Sequence, residues 1–166
     1  MTTKEQDMIM REQLEKAYEE EKLRSALIQR CYRIYHEFLQ TKDEELYNHL
    51  MKNEVNPELH LMRWLRCCLS REFDVKITID YWDYIIGGLY LQGPSNPKDP
   101  FPPQETDPVL NLDIVCVSMI ISIREILLES DFSMCLAYLL NFEQPDDPSI
   151  IITQAIKIKN EILEIQ

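Results

Sequence analysis

Residues 62–83 read MRWLRCCLSREFDVKITIDYWD, and both tryptophans of the chain fall in this span beside three arginines and an Arg-Glu-Phe step. No glycine or proline interrupts it. Leu61, Trp64, Leu65, Cys68 and Leu69 recur at i, i+3, i+4, i+7 and i+8, the spacing of a helix pressed against a core along one face. Arg63, Arg66 and Ser70 fall away from that stripe. Asn56-Pro57 supplies the start signal, a capping residue followed by proline at the first helical position. Asp74 reads as the cap of a second helix, with Ile79, Trp82, Ile85 and Ile86 as its stripe and Gly87-Gly88 as its stop. On this reading both tryptophans are core anchors. A partly buried arginine needs a carboxylate, and Asp83 or Glu72 is available to Arg63, Arg66 or Arg71. The expectation is an ion-pair lattice that ties the two helices together, with the pairing left open.

Helical signals continue on either side. Thr2-Thr3-Lys4-Glu5 forms a capping box, and a helical pattern follows to about Gln40. Its first half, Lys4–Lys22, is charged, weakly amphipathic and without a heptad, so it reads as a solvated extension in preference to a zipper. Its second half carries Leu27, Cys31, Ile34, Tyr35 and Phe38 at helical spacing. Thr41-Lys42-Asp43-Glu44 reads as another capping box, opening a short helix through Leu46, Tyr47, Leu50 and Met51. Residues 93–108 hold six of the nine prolines and read as a loop, because proline lacks the amide donor and restricts its predecessor. Asp107-Pro108 leads into the most apolar helix, about Val109–Glu129. Ser130 or Asp131 caps a helix through Cys135, Leu136, Leu139 and Leu140, and Asp147 or Ser149 starts a last one with Ile152, Ala155, Ile156 and Leu163. No strand pattern competes with these, so the fold class is all-α. The organisation expected is a long helix over 1–40 followed by a helical lobe over 41–166.

The chain has 166 residues, enough for one domain with a sizeable core. Its net charge is −12, and Glu125–Pro148 holds six acids without a lysine or arginine. Such a face repels phosphate backbones and anionic lipid, which argues against nucleic acid and direct membrane insertion as partners. The five cysteines form no CxxC, and most sit among apolar residues, which favours reduced core thiols over a disulfide framework. His36, His49 and His60 lie too far apart for zinc spacing. The expectation is therefore no metal and no cofactor. Residues 1–22 are too charged for a signal peptide, and Ile114–Ile123 is too short to span a bilayer. A cytoplasmic chain is expected.

Several joints between these helices carry a family resemblance. The run Glu45-Leu46-Tyr47-Asn48-His49-Leu50, then Pro57, Arg63-Trp64-Leu65-Arg66, Arg71-Glu72-Phe73 and Trp82-Asp83, resembles the C-terminal half of the TBC domain of Rab GTPase-activating proteins. Ile114–Glu125, Leu127-Leu128 and Asp131–Leu140 are similar to that domain's closing helices, so the resemblance extends from about residue 30 to 158. The retromer-associated TBC subfamily is the nearest variant. The resemblance implies an orthogonal multi-helix bundle and a Rab-type small GTPase as partner. It also implies a two-finger mechanism, with an arginine in I-x-x-D-x-x-R and a glutamine in Y-x-Q, both in the domain's N-terminal half. Phosphoryl transfer needs this added cation and oriented water.

Two local imitations depart from the pattern. Tyr90-Leu91-Gln92-Gly93 has the glutamine letters but follows the Trp-Asp helix and runs into the proline segment. Ile77-Thr78-Ile79-Asp80 begins like the arginine motif, yet Asp83 stands in the arginine's place. No catalytic residue is assigned, and Arg63, Trp64, Arg66, Arg71, Glu72, Phe73, Trp82 and Asp83 are read as structural. The expected role is a lobe that contributes Rab or partner binding, peripheral on endomembranes only through partners. The alternative is a non-catalytic scaffold subunit of a trafficking or cytoskeletal assembly, supported by a start at Met1 in a capped helix. On either reading, other subunits are expected to cover the face of the absent lobe.

Overall fold

Ten consecutive residues, Asn111–Ile120, are buried around the whole circumference of one helix, and the other elements are arranged about it. The structure, a computed structural model, describes residues 3–87 and 107–165, and among these it contains helices and no strand. The central helix, α6 (Pro108–Ser122), starts where the Asp107 carboxylate accepts the amides of Val109 at 3.0 Å and Leu110 at 3.2 Å. A helix apolar on all sides belongs inside. Helix α9 (Ser149–Ile165) lies along it, and α4 (Glu58–Arg66), α5 (Val75–Gly87) and the segment Ile34–Leu39 close the remaining sides.

Three buried polar residues on α6 each find a neighbour. Asp113 accepts from Arg30 Nε at 2.9 Å and Nη2 at 2.6 Å, which ties it to α1 (Thr3–Arg33). Asn111 donates to the Ile85 carbonyl on α5 at 3.0 Å and accepts from Lys159 Nζ on α9 at 2.7 Å. Ser118 donates to the Ile151 carbonyl on α9 at 2.8 Å. Burial raises the Asp113 carboxyl above its ordinary range, and the Arg30 guanidinium opposes that rise without cancelling it.

The chain stays helical from Thr3 to Lys42, and Cys31, Ile34, Tyr35 and Phe38 are buried as the periodicity predicts. The turn at Ile34–Leu39 is wider than the α-helical pattern: the amide of Gln40 bonds to the Tyr35 carbonyl in π geometry, and Leu39 is buried too. Helix α2 (Gln40–Lys42) follows, then α3 (Glu44–Lys52). Its cap is Asp43, whose carboxylate accepts Leu46 N at 3.0 Å, and not Thr41. Thr41 is still helical, so its hydroxyl bonds back to the Glu37 carbonyl at 2.6 Å.

The long apolar helix expected to run to Glu129 breaks at Ile123. Ser122 Oγ takes the Met119 carbonyl at 2.6 Å, and Arg124 is drawn out to Asp43 at 2.6 Å, to Glu45, and to its neighbour Glu125 at 3.1 Å. These bonds aim α7 (Arg124–Leu128) at α3. Asp131 caps α8 (Phe132–Leu140) through Met134 N at 2.9 Å, while Ser130 bonds back to Ile126. The Asp147 carboxylate accepts Ser149 N at the start of α9, and Leu163 is exposed instead of lying on the buried stripe. Thr2 of the first capping box, Gly88 and the proline-rich segment up to residue 106 lie outside the described residues.

Replacing Arg30 by Met strands the Asp113 charge and is expected to lower the unfolding free energy by about 3 kcal/mol. The double variant Arg30→Met with Asp113→Leu is expected to recover most of that loss. Urea denaturation of both measures it, and equal losses would count against the pairing.

Candidate functional site

The decisive span folds as helix, turn and helix. Pro57 already has helical angles, φ −59° and ψ −35°, and its carbonyl accepts Leu61 N at 3.0 Å to start α4. The helix ends in a tight reversal in which Leu69 N bonds to the Trp64 carbonyl at 2.9 Å and Cys68 N to the Leu65 carbonyl at 3.3 Å. That pairing is the Schellman arrangement, and it puts Cys68 where glycine is the usual residue. Cys68 has φ 45° and Leu69 φ 66°, both left-handed without being glycine. The reversal brings Glu72 back beside α4. Arg63 then grips it bidentately, Nε to Oε1 at 2.8 Å and Nη2 to Oε2 at 2.9 Å. The same Nη2 donates to the Leu140 carbonyl at the end of α8. One guanidinium thus joins α4, the turn and α8, and its carboxylate partner is only 2% exposed.

An aromatic row runs behind this clasp. His60 meets Trp64 edge-on at 4.7 Å, and Trp64 meets Phe142 at 5.7 Å. Phe142 meets Phe73 at 6.0 Å, and Phe73 meets Tyr81 at 4.9 Å. Such contacts add to the area each ring buries. His60 Nε2 pairs with the Tyr35 hydroxyl at 2.8 Å. Complete burial, reinforced by the charge on Arg63, lowers the imidazole pKa to about 3, so the ring is neutral at physiological pH.

Of the span's charged residues, the structure brings Arg63 and Glu72 together and leaves Arg66, Arg71 and Asp83 exposed and outside any ion pair among the described residues. The expected lattice is therefore a single clasp, because α4 ends at Arg66 and the turn carries Arg71 outward. Trp64 and Phe73 are buried as anchors. Trp82 is not: it is 38% exposed, held at its rim by an indole N–H bond to the Cys68 carbonyl at 2.7 Å. Helix α5 has two apolar sides, and Ile77, Tyr81, Tyr84 and Ile85 are the buried one. Val75, Ile79, Trp82 and Ile86 form the open side. Cys68 also leaves the predicted stripe, since it follows the helix end. Asp83, in the arginine's place of the imitated motif, is exposed, whereas Tyr90-Leu91-Gln92-Gly93 lies outside the described residues.

A second open surface lies on α1. Met10, Leu14, Ala17 and Tyr18 recur at i, i+4, i+7 and i+8, all exposed. Farther along, a cleft of about 810 Å³ opens between Ala17, Arg24, Leu27 and Ile28 of α1 and Met62 and Arg66 of α4. Its lining mixes apolar side chains with charges of both signs, Glu20 and Glu21 beside Arg24 and Arg66. Among the described residues no group of three or more His, Cys, Asp or Glu side chains could hold a metal ion. His60, Phe142 and also Tyr81, which the α5 stripe passed over, were missed as members of the aromatic row. The four-residue step from His60 to Trp64 was the available signal for the first, and nothing near Phe142 marked the second.

Glu72→Gln removes the charged half of the Arg63 clasp and is expected to destabilise the fold by about 2–3 kcal/mol in chemical denaturation. The His60 pKa lies below its unfolded value of about 6.5. The unfolded state therefore binds the proton first on acidification. Stability contributed by the neutral ring is complete above pH ~6.5 and falls toward pH ~3, by at most ~1.4 kcal/mol per pH unit. His60→Gln should flatten that slope in unfolding curves recorded across the window; an unchanged slope would show that His60 titrates normally.

The Rab-GTPase-TBC domain model matches residues 6–93. TBC1 domain family member 5 homolog B of Dictyostelium discoideum is 30% identical over 134 residues, covering 81% of this chain and 12% of that protein. Human TBC1 domain family member 5 is 27% identical over 136 residues, with 81% and 15% covered. The chain therefore spans well under a quarter of these relatives' length. The crystal structure of the Ypt/Rab-GAP domain of Gyp1p aligns with a TM-score of 0.66 at 19% identity, over 84% of this chain and 38% of that one. That likeness establishes the same all-α fold. With the Arg63–Glu72 clasp and the Trp82-Asp83 step inside the matched segment, and that segment covering just over half of the residues, the chain belongs to the Rab-GTPase-TBC domain family.

Proposed function

We propose that this chain is one lobe of a Rab-directed GTPase-activating domain, which binds the GTPase or the rest of the domain, and that the arginine and glutamine fingers reside on polypeptide outside it. The observation that carries this reading is the open side of α1. Met10, Leu14, Ala17 and Tyr18 lie within the family-matched segment, yet nothing among the described residues covers them. An aligned apolar row of this kind is normally buried against a partner. The chain's alignment with 38% of the Gyp1p domain leaves ample polypeptide to supply the cover. GTP hydrolysis is accelerated when a cation neutralises charge on the transferred phosphoryl group and a second group orients the water. Arg63 is committed to Glu72 and Arg30 to Asp113, which supports a structural role for both. On this reading the lobe works at the cytoplasmic face of endomembranes, reached through its partners. Among the described residues no helix is long and apolar enough to cross a membrane.

A second reading, a scaffold subunit without GTPase activation, draws on the other open side, Val75, Ile79, Trp82 and Ile86 of α5. The two readings separate in one experiment. The chain is assayed for GTP hydrolysis against a panel of Rab GTPases, alone and joined to the N-terminal half of a TBC domain from a relative. Stimulation only in the joined protein, lost on Leu14→Asp with Tyr18→Asp, supports the first reading. Binding without stimulation in the joined protein supports the scaffold. Stimulation by the chain alone that disappears on Gln92→Ala would place a finger within it and overturn the proposal.

A further inference from the structure

The reversal that ends α4 carries two adjacent thiols, Cys67 and Cys68. Cys31, Cys116 and Cys135 are fully buried, and burial pushes the Cys31 thiol up to about 12 and raises the other two as well. Those three are inert side chains of the core. Cys68 is exposed and Cys67 half-buried, so the accessible thiols of this protein are concentrated at one peptide bond. All five thiols are free.

Adjacent cysteines have Cα atoms about 3.8 Å apart, shorter than the roughly 4.4–6.8 Å spanned by ordinary disulfides. A bond between them closes an eight-membered ring that contains ψ of Cys67 and φ of Cys68. These torsions now stand at 5° and 45°. The second of them also aims the Cys68 carbonyl, and that carbonyl holds the Trp82 indole N–H at 2.7 Å. A change in that torsion on ring closure would move this anchor. Strained disulfides have more oxidising potentials and are the readily reduced, regulatory kind.

We infer that Cys67-Cys68 is a reversible oxidation site for hydroperoxides, and that its state is transmitted to the open side of α5 through Trp82. One thiolate attacks the peroxide: an S–O bond forms, the O–O bond breaks, and the alcohol or water leaves. The neighbouring thiolate then attacks the sulfenic sulfur, forming S–S and expelling water. Two thiols lose two electrons to one hydroperoxide, and the balance closes with one alcohol (or water) and one water. The product is a vicinal disulfide. Reduction by a thiol restores the pair and the Trp82 bond. Because Trp82 belongs to the apolar row Val75, Ile79, Trp82 and Ile86, oxidation alters the surface that this row offers to a partner.

The test treats the full chain with hydrogen peroxide and maps it by non-reducing tryptic mass spectrometry, with tryptophan fluorescence read in parallel. The expected product is the peptide Cys67–Arg71 lacking two hydrogens in a monomeric protein, accompanied by a red shift of emission that dithiothreitol reverses. Cys67→Ser and Cys68→Ser should each abolish the disulfide and the shift. Trp82→Phe should keep the disulfide and lose the shift, because the Trp64 ring is fully buried. Independent oxygen adducts on each cysteine, or intermolecular dimers, would overturn the site. A vicinal disulfide with unchanged emission would overturn its coupling to α5.

Discussion

A helix buried around its whole circumference cannot carry a polar side chain without a partner, and α6 carries three. A buried polar group left unpaired costs about 1–3 kcal/mol, against a total stability of roughly 5–15 kcal/mol for a domain of this kind. Asp113, Asn111 and Ser118 thus restrict how neighbouring helices can be placed: α1 must present Arg30, α5 its Ile85 carbonyl, and α9 both Lys159 and the Ile151 carbonyl. Non-directional apolar contact would tolerate rotated or slipped arrangements. These bonds do not. The orientation of α1, and hence of its outer side, follows from the needs of a residue in the centre.

The Arg63 clasp does the equivalent work at the other end of the bundle. A planar guanidinium matched to a carboxylate fixes direction as well as distance. It holds the reversal after α4, and the reversal in turn holds Trp82 at the edge of α5. What results is a closed interior with two apolar surfaces left open, one on α1 and one on α5. The α5 row lies on a helix whose opposite side is packed, so it is presented on a rigid support, whereas α1 is exposed on every side from Arg11 to Ala26. Rigidity of this kind lowers the entropy lost on association. A supporting lobe of a larger domain needs that property more than it needs reactive groups.

Much of this was legible in the sequence. Helix positions followed from apolar spacing and from Asp74, Asp107 and Asp131, short acids whose carboxylates reach amides at the helix starts, while at α3 that acid is Asp43 in place of the expected Thr41. The errors have a common origin. Periodicity reports which residues share a side, not which side meets the core, and α5 has an apolar row on both. The choice fell on Trp82 because tryptophan is usually buried. Only the packing of α5 against α6 decides for Ile77, Tyr81 and Tyr84. The pairing of Arg63 with Glu72 required knowing that the chain reverses at Cys68 and Leu69, where neither residue announces a left-handed turn. The break at Ile123 was invisible for a related reason: the acids that draw Arg124 away lie some eighty positions earlier, on α3 and its cap. As for the site, Arg63, Trp64, Glu72 and Phe73 could be selected from the sequence, but the aromatic row through Phe142 depends on the return of a distant loop.

The widened turn at Ile34–Leu39 sets the compass bearing of everything upstream of it. One amide there reaches back five residues, so the register of the helix before the turn is offset from that after it by about the 100° that a single α-helical residue contributes. Removing one residue from this turn would rotate everything upstream of it by that angle, the buried Cys31 and the Arg30 that grips Asp113 included. Met10, Leu14, Ala17 and Tyr18 would then point to a different quarter of the surroundings. A single-residue insertion or loss at that location would therefore re-aim the arm only by pulling Arg30 away from Asp113.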